Sequence, residues 1–158
     1  MFLSTFEKQL DAKRRIVVPQ DFRAAAAPSG AGGFDGVFCF PSIEADCIEG
    51  GGQALFDSYK AVIDDLPVGD PLRAALRTSV MGGMAKLSWD PAGRITLPEG
   101  LCEMFGLSDW VSVVGLGESF QIWSRETFAA HRDRHRLLAR EGLVAYSAEK
   151  RLAKAAGS

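Results

Sequence analysis

The chain has 158 residues, 47% of them hydrophobic and 24% charged, with a formal net charge of −2. This is the composition of a soluble globular domain long enough to bury one real core. No apolar run reaches the roughly 18 residues of a membrane span, and "MFLSTFEKQLD" has no basic start followed by a long apolar stretch, so a cytoplasmic chain without a membrane partner is expected.

In chain order, "FEKQL" predicts a short strand, followed by a tight turn centred on Lys13 and Arg14. The β-branched run "RIVV" predicts a second strand ending at Pro19, with a short helix in "QDFRAAAA". "GVFCF" from residue 36 predicts a strand, and a return strand is expected near "DCIE", 46 to 49. Residues 53–66 place Leu55, Tyr59, Val62, Ile63 and Leu66 on one helical face. A further helix over 70–80 has Asp70 as N-cap and Pro71 as its first residue. "AKLSW", a turn at Ala92–Gly93, "RITL", Pro98 and the helix "EGLCEMF" then repeat the opening order, with Gly106 as C-cap. "WVSVVG" and "SFQIW" are strands joined by the hairpin "GLGES". A last helix runs from Ser124, its N-cap, over 124–143, and an Ala- and Lys-rich tail is expected to fray.

The repetition is internal. A shift of 79 residues places Asp11 on Asp90, Arg15 on Arg94, Ile16 on Ile95, Val18 on Leu97, Pro19 on Pro98 and Phe22 on Leu101. "DAKRRIVVP" and "DPAGRITLP" share a spacing of Asp, three residues, Arg, Ile, one residue, an aliphatic and Pro. Charge is also uneven. Residues 1–34 carry five basic and three acidic side chains, whereas residues 35–70 carry one and eight. Local patches of this kind matter to polyanion binding as well as net charge does.

On these two motifs, their spacing and the block "VSVVGLGESFQIWSRETF", the chain resembles the MraZ family from Met1 to about Arg140. MraZ proteins are bacterial transcriptional regulators related to the SpoVT/AbrB family, with two DNA-binding units in one polypeptide. The resemblance implies an α+β, mainly β fold: a pseudo-two-fold, swapped-hairpin (double-split) β-barrel from two tandem repeats, with flanking helices. The expected organisation is a first repeat over 1–52, a helical connector over 53–80, a second repeat over 81–124, and a C-terminal helix and tail over 125–158. Ring-like homo-oligomers are implied. So is a partner: double-stranded promoter DNA carrying closely spaced, guanine-rich direct repeats upstream of the division and cell-wall gene cluster. A nucleoid-associated location follows. The family's first motif reads Asp-x-Lys-Gly-Arg, and Arg14 stands here at its glycine. If that position needs a positive φ, arginine costs roughly 1–2 kcal/mol more than glycine.

Independently of the resemblance, a turn between strands projects side chains from a rigid base. Arginine donates two parallel hydrogen bonds to guanine O6 and N7 in the major groove, worth about 1–3 kcal/mol of discrimination. Arg15 and Arg94 are the expected base readers, and Lys13 and Arg14 the expected phosphate contacts. So few cations per subunit bind weakly, and several subunits on repeated sites would raise avidity. The plain alternative is that each Asp-x-x-x-Arg is a local ion pair stabilising its hairpin.

Other features carry less chemistry. Cys39, Cys47 and Cys102 are odd in number and lack CxxC spacing, which argues against a disulfide framework or thiolate metal cage. His131 and His135 stand four apart without the glutamate of HExxH, and read as surface or interface histidines. Arg125, Arg132, Arg134, Arg136 and Arg140 form a basic helix face, expected to meet the acidic 35–70 segment of a neighbouring subunit in preference to DNA. No GxSxG or P-loop occurs, "GLGES" lacks the third glycine of a dinucleotide fingerprint, and neither an enzyme nor a cofactor is expected. The rival from another class is an assembly scaffold whose arginine turns bind protein partners.

Overall fold

The computed structural model describes residues 1–28 and 32–157. Among them the chain forms two compact units, Met1–Arg125 and Glu126–Ser158. The first unit opens with β1 (Thr5–Gln9), β2 (Arg15–Val17), α1 (Gln20–Ala26), β3 (Gly36–Pro41) and β4 (Ile48–Gly51). Two connecting helices follow, α2 (Gln53–Asp65) and α3 (Pro71–Leu76), the latter continued by a π-helical turn over Arg77–Met81. Then β5 (Ala85–Ser88), β6 (Arg94–Thr96), α4 (Glu99–Met104), β7 (Trp110–Gly115) and β8 (Phe120–Ser124) repeat the first order. The last helix, α5, spans Arg125–Ala156. The tail expected to fray is thus helical through Ala156, with Ser158 outside the described residues.

The two repeats exchange strands. β1 of the first pairs antiparallel with β7 of the second, and β5 of the second pairs with β3 of the first. β4 and β8 meet between them, completing a six-stranded sheet in the order β1-β7-β8-β4-β3-β5. β2 and β6 form a separate two-stranded ribbon in which Ile16 lies directly opposite Ile95. Each partner in that pair is the other's equivalent under the 79-residue shift, so the pseudo-two-fold relation passes between them.

The α+β, strand-dominated class agrees with the expectation; closure into a barrel is not what the hydrogen bonds give. Among the described residues the sheet ends at β1 and β5, and the ribbon stands apart from it. Proline explains the short ribbon. Pro19 and Pro98 lack the N–H that would carry a ladder onward, and both sit at the N-cap of the helix that follows. Charged side chains on the edges, Lys8 of β1 and Lys86 of β5, discourage pairing with further strands.

One core unites the repeats. Ile16, Val18 and Phe22 are buried, as are their equivalents Ile95, Leu97 and Leu101. Phe2, Phe22 and Phe120 pack ring against ring, with centroids 5.2 to 5.7 Å apart. A second cluster of Phe40, Leu55, Ile63, Leu76 and Val80 seats α2, α3 and the π-turn on β3. Asp70 caps α3 by accepting the Leu72 N–H at 2.8 Å. α4 ends in a Schellman motif: the Leu107 N–H reaches the Cys102 carbonyl at 2.9 Å, and Gly106, at φ +61°, bonds to Glu103.

Candidate nucleic-acid interface

The two turns are built alike. In the first, the Arg14 N–H donates to the Asp11 carbonyl at 3.0 Å; in the second, the Gly93 N–H donates to that of Asp90 at 2.9 Å. Asp11 Oδ1 accepts the N–H groups of Lys13 (2.9 Å) and Arg15 (2.8 Å). Asp90 Oδ1 accepts those of Ala92 (2.9 Å) and Arg94 (2.8 Å). Aspartate is needed because a short acceptor at the turn start reaches the two amides that the bend leaves without backbone partners. These bonds hold both carboxyls below the ordinary 3.8, the backbone N–H of the turn's own arginine being the leading cause in each case.

The fourth turn residue is left-handed in both copies: φ is +61° at Arg14 and +76° at Gly93. A β-turn followed by a left-handed residue is a common hairpin design and favours glycine there. Arg14 therefore occupies a glycine position. Its side chain has another attachment: Nε donates to the Leu97 carbonyl across the ribbon at 3.1 Å, while the Leu97 N–H returns a bond to the Arg14 carbonyl at 2.8 Å.

The second oxygen of each aspartate fixes the arginine. Arg15 Nε meets Asp11 Oδ2 at 2.7 Å, and Arg94 Nε meets Asp90 Oδ2 at 2.7 Å. The local ion pairs weighed from sequence are present in both copies. They also orient the guanidinium groups: each is held through Nε, and among the described residues its Nη groups have no hydrogen bond. Both ion pairs are partly exposed, so their Coulomb contribution to stability is small.

Alternation along the ribbon sorts its faces. Ile16 and Ile95 turn inward and are 1% exposed. Arg15, Val17, Arg94 and Thr96 share the opposite face, on which Val17 and Thr96 are exposed. Arg15 lies opposite Thr96, and Arg94 opposite Val17, so the two arginines are diagonal neighbours, with Cα atoms roughly 7–8 Å apart. Arg14, Arg15, Val17 and Arg94 line one open depression of about 810 Å³ with Asp11 and Ser108. Lys13 is exposed at the turn tip and does not line it. Sequence reasoning missed Val17 and Thr96, although the period-two pattern of "RIV" and "RIT" places them beside the arginines. It also missed Arg23 of α1, which lies against Gly93: a Cβ built at Gly93 would stand 2.6 Å from Arg23 Nη1. Nothing local in the sequence marks that contact.

Comparison with known proteins gives a kinship for this arrangement. The chain is 71% identical over 158 residues to a protein of Phenylobacterium zucineum (strain HLK1) called "Transcriptional regulator MraZ", covering all of this chain and 96% of that one. The chain belongs to the MraZ family. A relative of the same name from Caulobacter vibrioides (strain NA1000 / CB15N) is 69% identical over 99% of this chain and 98% of its own. Another from Hyphomonas neptunium (strain ATCC 15444) is 39% identical over 86% of this chain and 80% of its own. The family model, described as "MraZ protein, putative antitoxin-like", matches residues 80–141. That span holds the second repeat, whose turn keeps the glycine of the MraZ motif at Gly93, and lies clear of the turn that carries Arg14.

Elsewhere, Cys39, Cys47 and Cys102 are buried free thiols. His131 and His135 stack with ring centroids 3.9 Å apart, and among the described residues no three His, Cys, Asp or Glu side chains form a metal-holding group. Among the same residues no helix is long and apolar enough to cross a membrane.

Proposed function

We propose that this chain is a sequence-specific DNA-binding transcriptional regulator that reads the major groove with the β2–β6 ribbon. The observation that carries the reading is the pair Arg15 and Arg94, diagonal on the ribbon's outward face, each fixed through Nε by its own aspartate. A two-stranded ribbon fits the major groove, and an arginine so oriented can offer paired donors to guanine O6 and N7. Lys13 and Arg14 flank the readers as phosphate contacts, Arg14 through its Nη groups. The name "Transcriptional regulator" borne by the relatives supports the class.

The sites are guanine-rich direct repeats upstream of the chain's own gene, in the division and cell-wall cluster. The repeats over 1–52 and 81–124 each supply one strand of the ribbon. The active species is a ring-like homo-oligomer, in the cytoplasm and on the nucleoid. Exposed Leu137, Leu138, Leu143, Val144 and Leu152 on α5 support assembly, since apolar groups gathered on one helix favour a covering partner.

The test is fluorescence anisotropy with a labelled duplex from upstream of the gene, against a scrambled duplex and across a salt titration. Preferential, salt-sensitive binding that is lost in both Arg15→Ala and Arg94→Ala is expected. Equal affinity for both duplexes, with oligomers intact, would move the reading to an assembly scaffold.

A further inference from the structure

The two turns differ in charge. The first presents Lys13, Arg14 and Arg15; the second presents Ala92, Gly93 and Arg94. The fold compensates from elsewhere in the chain. The Arg23 guanidinium lies over Gly93, with Nη1, Cζ and Nε at 2.6, 2.8 and 3.1 Å from where a Cβ would stand. A side chain at position 93 would have to displace it.

The arrangement is reciprocal. Under the 79-residue shift Arg14 corresponds to Gly93, and Arg23 to Cys102. In one copy an arginine on the turn faces a small residue on the helix: the charge of Arg14 is felt at Cys102, where it opposes the dominant effect of burial on the thiol. In the other copy a glycine on the turn faces an arginine on the helix. Each turn therefore has one guanidinium at its left-handed position, reached by opposite routes.

Arg23 also lacks an anion. Arg15 and Arg94 have their aspartates, but among the described residues the Arg23 side chain has no ion pair or hydrogen bond, and its Nε is buried without a partner. A guanidinium with a desolvated Nε and no carboxylate beside it carries a positive charge that the fold leaves uncompensated.

We infer that Arg23, supplied by α1 of the first repeat, is the phosphate-contacting residue of the second turn, engaging the DNA backbone beside the base reader Arg94. The inference rests on the DNA-binding reading above. It assigns Arg23 to affinity and Arg94 to sequence choice.

The test compares wild type, Arg23→Gln, Arg23→Lys and Arg94→Ala by fluorescence anisotropy on the upstream duplex and a scrambled duplex, each across a salt titration. Melting temperature and oligomer size are checked for every variant. Arg23→Gln is expected to weaken both duplexes by the same factor, and to lower the slope of log affinity against log salt by about one for each subunit engaged. Arg23→Lys is expected to restore the slope, and Arg94→Ala to reduce the preference for the upstream duplex. If wild type binds both duplexes alike or neither, the DNA reading falls and this inference with it. If wild type discriminates but Arg23→Gln keeps the full slope, the inference alone is overturned. It is equally overturned if Arg23→Gln loses sequence preference at unchanged slope, because Arg23 would then act only by positioning Arg94.

Discussion

The left-handed turn residue is where this chain departs furthest from its own pattern. Gly93 satisfies φ +76° without strain, whereas Arg14 holds φ +61° at a cost of about 1–2 kcal/mol. Its Nε bond to Leu97 offsets part of that, a typical hydrogen bond contributing about 1 kcal/mol. Arg14→Gly is therefore expected to stay within about 1 kcal/mol of wild type in urea unfolding. Arg14→Ala, which keeps the strain and loses the bond, should fall below Arg14→Gly by about 1–2 kcal/mol. Gly93→Ala should cost a comparable amount through the φ penalty, the Arg23 guanidinium being the end of a flexible side chain that can shift away. The aspartates give a pH signature. A carboxyl whose folded value is depressed stabilises above its unfolded value, and that contribution is lost as pH falls through the folded one. The Arg15 and Arg94 amide resonances, bonded to Asp11 and Asp90, are thus expected to be flat from neutral pH and to titrate with midpoints below 3.8. Asp11→Asn should remove the titration at Arg15 and leave that at Arg94.

At the scale of elements, the ribbon joins a buried structural face to the face proposed to read DNA. Its inner face, Ile16 and Ile95, is sealed into the shared core, and its outer face carries the arginines. Ile95→Ala is expected to cost about 2–5 kcal/mol and to lower DNA affinity only through the unfolded fraction; Arg94→Ala should do the reverse, losing binding at nearly constant stability. Most elements were legible in the sequence because they rest on local chemistry: Pro71 and Asp70 opening α3, Gly106 closing α4, and β-branched residues in β2 and β6. The return strand was expected at 46–49 and lies at Ile48–Gly51, since glycines at 50 and 51 conceal a strand by composition. They are needed there: a Cβ on Gly50 would strike the Phe120 ring at 2.5 Å. Pairing was not legible. Nothing in "FEKQL" states that its partner is "WVSVV", more than a hundred residues on. For the same reason the contact of Arg23 with Gly93 was invisible, while Arg15 and Arg94 stood out as candidates by repetition.

For the whole molecule, charge and apolar surface are divided between the two units. The strand-exchanged body, Met1–Arg125, holds both turns, and the helical unit, Glu126–Ser158, exposes leucines and arginines. If the helical unit drives assembly, Leu143→Ser combined with Val144→Ser should lower the mass measured by light scattering and weaken DNA binding well beyond the loss in any single contact, because avidity is multiplicative. The melting of the body should be unchanged. The most direct measurement of the central claim, that Arg15 and Arg94 read guanine, is a double-mutant cycle in which Arg94→Ala is crossed with 7-deazaguanine at the guanines of the upstream duplex, and the same is done for Arg15. Removing N7 should cost wild type about 1–3 kcal/mol at the contacted guanine and cost the alanine variant almost nothing there. Equal losses in wild type and variant at every guanine would show that neither arginine touches a base edge, and would contradict the account.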